Sequence, residues 1–252
     1  MAKNGIRERN RFDPASKEPF KISRSKLDQF LECPRCFYLD RRLGIGHVDM
    51  PAFTLNSATD TLLKKEFDTY RVAGKPHPLM TLHGIKAVPF RHPDMDEWRE
   101  NFKGVHSLHA ATNLIVTGAP DDIWIDEDDV LHIVDYKSTS TTKDIDLEGE
   151  YKQGYKRQME IYQWLLRRNG FNISDTGYFL FVNADTKKDA FDGKLVFRMQ
   201  IIEYSGKDDW VEDAVLAAHE CLVNDHIPSS APACKWCAYT TNVSKALKSA
   251  SS

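Results

Sequence analysis

The segment "GAPDDIWIDEDDVLHIVDYKST" (Gly118–Thr139) sets two β-branched, alternating runs on either side of the acidic turn "DEDD". Alternation and a polar turn predict two paired strands. On a strand, residues two apart share a face, so Asp135 and Lys137 of "DYK" present a carboxylate and an ammonium side by side. Asp121 stands at the mouth of the preceding strand, after Gly118-Ala119-Pro120. A hairpin brings it towards Asp135, and two converging carboxylates repel unless a cation lies between them. Hard oxygen ligands favour Mg²⁺ or Mn²⁺. Such ions polarise a phosphate and activate water, which points to phosphodiester hydrolysis. On alternation, Asp122 faces away from Asp121, and Asp126 to Asp129 are turn residues facing water.

Outward from this segment the pattern is mixed. "SRSKLDQFLECPRCFYLDRRLG" (Ser23–Gly44) predicts a helix that kinks or restarts at Pro34. "FTLNSATDTLLKKEFDTYR" (Phe53–Arg71) predicts a second helix. Residues 72–110 carry no assignable pattern. "EYKQGYKRQMEIYQWLLRRNG" is an amphipathic helix ended by Gly170. "TGYFLFVNA" and "KLVFRMQIIEY" predict two more strands, and "DDWVEDAVLAAHECLVND" a further helix. The order predicts an α/β fold, a central mixed β-sheet flanked by helices. Residues 1–20 are expected to form a flexible arm, 21–240 one domain and 241–252 a flexible tail.

Hydrophobic residues make up 41% of the 252 residues, enough for a core, and 28% are charged. No apolar run approaches the roughly 18 residues of a spanning helix, and the start has no signal-peptide core, so no membrane partner and a cytoplasmic location are expected. The net charge of −3 speaks against a protein that binds nucleic acid over its whole surface. It allows a local basic patch. Arg41 and Arg42, with Lys152, Lys156 and Arg157 beside the acidic strands, are the candidate phosphate contacts. Tyr155 is a candidate for base stacking. Trp164 fits a core better, and His106 and His109 of "HSLH" fit a surface loop.

Four of the five cysteines form two C-x-x-C pairs, Cys33/Cys36 and Cys234/Cys237. Four thiolates in this pattern suit Zn²⁺ or a [4Fe–4S] cluster that ties the N-terminal segment to the C-terminal one. Cys221, inside an apolar helix, fits the core.

Gln158 and Tyr162, four apart, share a helix face downstream of "DYK". Gly118 to Asp121, Asp135 to Lys137 and Gln158 to Tyr162 together resemble the PD-(D/E)XK nuclease superfamily in its RecB-like branch, with motifs G-x-x-D, (D/E)-x-K and Q-x-x-x-Y in this order. The resemblance implies a restriction-endonuclease-like core and a metal-dependent DNA nuclease. Asp121 and Asp135 would hold the catalytic metal, Lys137 would serve the attacking water, and Gln158 and Tyr162 would contact DNA or order the site. The branch often adds a histidine on an earlier helix; here "NSATDTLLKKEF" offers Asp60 instead, with Glu66 as the next candidate. "SRSKLDQFLECPRC" and "CKWCAY" are similar to the cysteine segments of iron–sulfur nucleases, which include CRISPR-associated exonucleases and helicase–nucleases. Those carry one N-terminal and three C-terminal cysteines, whereas the split here is two and two. The resemblance implies a substrate that is single-stranded or has free ends, and a helicase, repair or defence complex as partner. A non-catalytic DNA-binding or assembly protein on the same fold is the alternative, and an iron–sulfur redox protein a third reading.

Overall fold

The computed structural model describes residues 6–48, 51, 53–149 and 152–250. The first half contains β1 (Phe20–Ser23), α1 (Arg24–Glu32), α2 (Pro34–Arg41), α3 (Thr54–Ala73), α4 (Pro78–Leu82), β2 (Ala87–Pro89), α5 (Met95–Trp98), β3 (Val105–His109) and β4 (Leu114–Gly118). The second contains β5 (Asp122–Asp126), β6 (Leu131–Thr139), α6 (Gln153–Arg168), β7 (Thr176–Ala184), β8 (Phe197–Ser205), α7 (Val211–Val223) and α8 (Lys235–Ala250). The chain divides into two compact units. One comprises Met1–Met50, Leu108–Val116 and Trp210–Ser252, the other Pro51–Ser107 and Thr117–Asp209.

The second unit is built on a five-stranded sheet of order β2-β5-β6-β7-β8. Only β6 and β7 run parallel; the other neighbours are antiparallel. The parallel pair needs a crossover, and α6 supplies it. Val134 and Tyr136 of β6 join Trp124, Tyr178, Leu180 and Val182 in a core closed by Leu63 and Phe67 of α3. Alternation turns Asp135 and Lys137 to the opposite face, towards α6. The predicted first strand of the acidic hairpin is broken in two. Pro120 has no N–H to give a ladder. The chain therefore leaves β4 at Gly118 and re-enters as β5 at Asp122, in a different sheet. Residues 72–110, unassigned from sequence, supply α4, β2, α5 and β3.

The turn after β5 refines another expectation. Asp126 is half-buried rather than turned to water. Its Oδ1 accepts the N–H groups of Asp128 (3.0 Å) and Val130 (2.9 Å), and Oδ2 contacts His132 Nε2 at 3.1 Å. Glu127, Asp128 and Asp129 are exposed, as expected of a turn.

In the first unit, the expected helix over 23–44 is two helices. Cys33 is extended, and Pro34 opens α2 at its first position, where a missing N–H costs nothing. α1 and α2 pack on α7. Within the described residues the segment before β1 makes contacts of its own. Phe12 is buried, and Arg7 Nη2 reaches the buried Asp40 Oδ1 at 2.5 Å. The stretch expected as a tail continues α8 to Ala250. His109, expected on a surface loop, is buried in β3 between Thr112 Oγ1 (2.8 Å) and Glu212 Oε1 (2.7 Å). Cys221 is half-buried, and burial pushes its thiol up to about 11. Among the described residues no helix is long and apolar enough to cross a membrane.

Candidate active site

The acidic centre lies wholly in the second unit, and backbone register assembles it. Asp122 of β5 pairs with Val134 of β6, so Asp121, one residue outward, stands opposite Asp135. Asp121 does not continue the ladder; its Oδ2 accepts the Tyr136 N–H at 2.8 Å. Asp135 is completely buried, and its Oδ2 has no hydrogen-bond partner, only the ammonium of Lys137 in contact. α6 supplies the second layer. Gln158 Nε2 donates to Asp135 Oδ1 (2.7 Å) and to Tyr162 OH (3.1 Å), while its Oε1 accepts from Lys137 Nζ (3.3 Å). Lys137 also lies 4.5 Å above the Tyr155 ring, so that ring holds a lysine, the arrangement of a cation–π pair.

The two ends of the sequence pattern meet physically. A Cβ on Gly118 would lie 2.5 Å from Tyr162 Cε1 and 3.0 Å from Leu165 Cδ1. Glycine at 118 is what lets the Tyr162 ring pack close enough to reach Gln158.

Charges are tuned accordingly. Burial, reinforced by Asp135, pushes the Asp121 carboxyl up to about 6 against the pull of Lys64 and Lys137. Burial opposes the charge on Lys137, but Asp135 and Asp121 outweigh it and raise its pKa. Lys137 is thus a permanent cation at neutral pH, a donor rather than a base.

Asp60 is half-buried on α3 and does not join the acid pair directly. Lys64, one turn on, stands between: its Nζ is 2.9 Å from Asp60 Oδ2 and 3.5 Å from Asp121 Oδ1. Sequence reading missed Lys64; its i,i+4 spacing from Asp60 is the signal that could have found it. Glu66 faces elsewhere, 2.8 Å from His77 Nε2. Asp122, as alternation predicts, serves the core. Its Oδ1 accepts from Arg71 Nη2 at 2.5 Å and its Oδ2 from Tyr136 OH at 2.8 Å.

The basic candidates diverge. Arg41 is buried, its Nε 3.1 Å from Asp40 Oδ2, the geometry of an internal counter-charge. Arg42 Nη2 lies 3.7 Å from Asp225. Lys152 is buried at the start of α6, 5.0 Å over Phe181. Lys156 and Arg157 are half-buried on α6, Lys156 Nζ being 4.0 Å from Glu148. Trp164 is a core residue, with Arg168 over its ring at 5.0 Å.

In the first unit, all four cysteines converge. Cys33 Sγ is 3.8 Å from Cys237 Sγ, and Cys36 Sγ is 3.5 Å from Cys234 and 3.6 Å from Cys237. The break at Cys33 and the start of α8 thus bring the N- and C-terminal segments to one point. Among the described residues this is the group of three or more metal-ligand side chains whose donor atoms all lie within 4.8 Å. Asp60, Asp121 and Asp135 do not form another, because ammoniums stand among them. Asp121 and Asp135 still offer carboxylate oxygens of the hard kind that a divalent ion takes.

A mixed sheet carrying an acid pair and a lysine, braced by a glutamine from the crossover helix, defines a class: α/β proteins with an acid–lysine centre. Comparison with known families makes this specific. The PD-(D/E)XK nuclease superfamily matches residues 59–241, and the chain belongs to that superfamily. A solved structure titled "Crystal structure of SSO0001" is similar over 81% of this chain and 77% of its own, with 11% identity and a TM-score of 0.34. No curated protein matches the chain.

Proposed function

We propose that the protein is a metal-dependent deoxyribonuclease of the RecB-like, four-cysteine branch, an exonuclease acting on single strands or free ends. The observation that carries the reading is the Asp121–Asp135–Lys137–Gln158 constellation, with the buried Asp135 held between Lys137 and Gln158. Asp121 and Asp135 would hold Mg²⁺ or Mn²⁺, which when bound polarises the scissile phosphate and acidifies the attacking water. Lys137 stays protonated and donates to that water or to a phosphoryl oxygen where negative charge grows. Gln158 fixes both Asp135 and Lys137, and Tyr162 fixes Gln158. Lys156 and Arg157, on the helix that carries Gln158, are the proposed contacts to the DNA backbone; Arg42 is a further candidate in the other unit. A cytoplasmic setting and a helicase, repair or defence partner fit this activity.

The four cysteines serve as a structural clamp holding one Zn²⁺. Three of the sulfur separations, 3.5 to 3.8 Å, with all of them within 4.8 Å, support a single ion. A tetrahedron with metal–sulfur bonds of about 2.3 Å has sulfurs about 3.8 Å apart. A [4Fe–4S] cluster sets four irons between its ligand sulfurs and spreads them wider.

The test is cleavage of single-stranded and double-stranded DNA, with and without free ends, in Mg²⁺ or Mn²⁺. Wild-type protein is expected to cut in a metal-dependent way. Asp135→Asn, with an unchanged circular dichroism spectrum, is expected to lose cleavage by at least about 100-fold. Wild-type cleavage by this variant, or none by the native protein, favours the non-catalytic DNA-binding alternative.

A further inference from the structure

Three carboxylates and two ammoniums share the acidic centre. Lys64 Nζ bridges Asp60 Oδ2 at 2.9 Å and Asp121 Oδ1 at 3.5 Å, and Lys137 sits on Asp135. In hydrolases with two metal ions, the second cation lies about 3.5–4 Å from the first and shares its carboxylates. Here a lysine on α3 already makes the contacts to Asp60 and Asp121 that a second ion would require. The balance of charge agrees. The five groups leave one net negative charge; a divalent ion and a phosphodiester monoanion bring it to zero. A second divalent ion would leave two positive charges in a half-buried site, a costly state in a low dielectric.

We propose that Lys64 is a resident cation in the place of a second metal ion, so that the centre takes one divalent ion, on Asp121 and Asp135, with Asp60 serving as the seat of Lys64 rather than as a ligand. The proposal rests on the metal-dependent nuclease reading and deepens it. Lys64 is a positioning residue, and the family's earlier-helix ligand is replaced here by an ion pair within the chain.

The experiment counts Mn²⁺ ions bound per chain by electron paramagnetic resonance, using full-length protein with its four-cysteine site filled. Wild type is expected to bind one ion. Lys64→Met, which keeps the length and removes the charge, frees Asp60 and is expected to bind two ions, with the spin-coupled spectrum of a close pair. Lys64→Gln is the second variant, and thermal melting confirms that each is folded. Asp60→Asn in otherwise native protein is expected to leave the count at one. Two ions in wild type, or one ion in both Lys64 variants, overturns this proposal and leaves the nuclease reading standing. No ion in wild type overturns both.

Discussion

Gly118→Ala tests whether the sequence pattern is a mechanical unit. The new Cβ would meet Tyr162 Cε1 at 2.5 Å and Cδ1 at 2.8 Å, and Leu165 Cδ1 at 3.0 Å. Carbon atoms rest about 3.5–4.0 Å apart, so the ring must withdraw by about 1 Å. Tyr162 is only 4% exposed. Overpacking of this kind costs about 1–3 kcal/mol. The same movement stretches the 3.1 Å contact from Gln158 to Tyr162 OH. Gln158 then loses the brace that orients it towards Asp135 and Lys137. A displacement of about 1 Å in a positioning group can cost on the order of 100-fold in rate. Urea unfolding gives the stability change, and DNA cleavage by the folded variant gives the rate. The decisive measurement is a double-mutant cycle. In a Tyr162→Ala background the ring is absent and the Leu165 contact remains, so Gly118→Ala is expected to cost much less, with a coupling of about 1–3 kcal/mol. An equal cost in both backgrounds would refute the packing explanation.

Three further outcomes are expected. Burial and Asp135 push the Asp121 carboxyl up to about 6 in the folded protein, above the value of about 4 in an unfolded chain. Its contribution therefore favours folding at low pH and is lost as pH rises through about 6. Mn²⁺ competes with that proton, so Mn²⁺ affinity by calorimetry should climb with pH and level off above about 6, and Asp121→Asn should flatten the profile. Asp122→Ala strips a carboxylate from the buried Arg71 and from Tyr136 OH; a loss of about 3–5 kcal/mol in thermal or urea melts is expected, with cleavage by the surviving folded protein unchanged. Cys237→Ser should abolish stoichiometric zinc by elemental analysis and lower the melting temperature, and a brown native protein absorbing near ~400 nm would instead establish an iron–sulfur cluster.

Much of the centre is legible in one dimension because strand and helix periods are fixed. Period two puts Asp135 and Lys137 on one face and sends Tyr136 and Asp122 to the core; period 3.6 puts Gln158 and Tyr162 on one side of α6. Two C-x-x-C pairs point to a four-cysteine cluster without saying how its sulfurs are spaced. What the sequence by itself determined is the mixed α/β class, the acid–lysine strand, its helical brace and the paired cysteines, since each depends on local period or local chemistry. Tertiary structure alone decided the rest. It split the strand at Pro120, divided the chain into two units, and buried Arg41 against Asp40. It set Lys64 between Asp60 and Asp121. Those outcomes depend on which distant groups meet, and a charged side chain takes the partner that packing brings within reach, not the one its neighbours in sequence suggest.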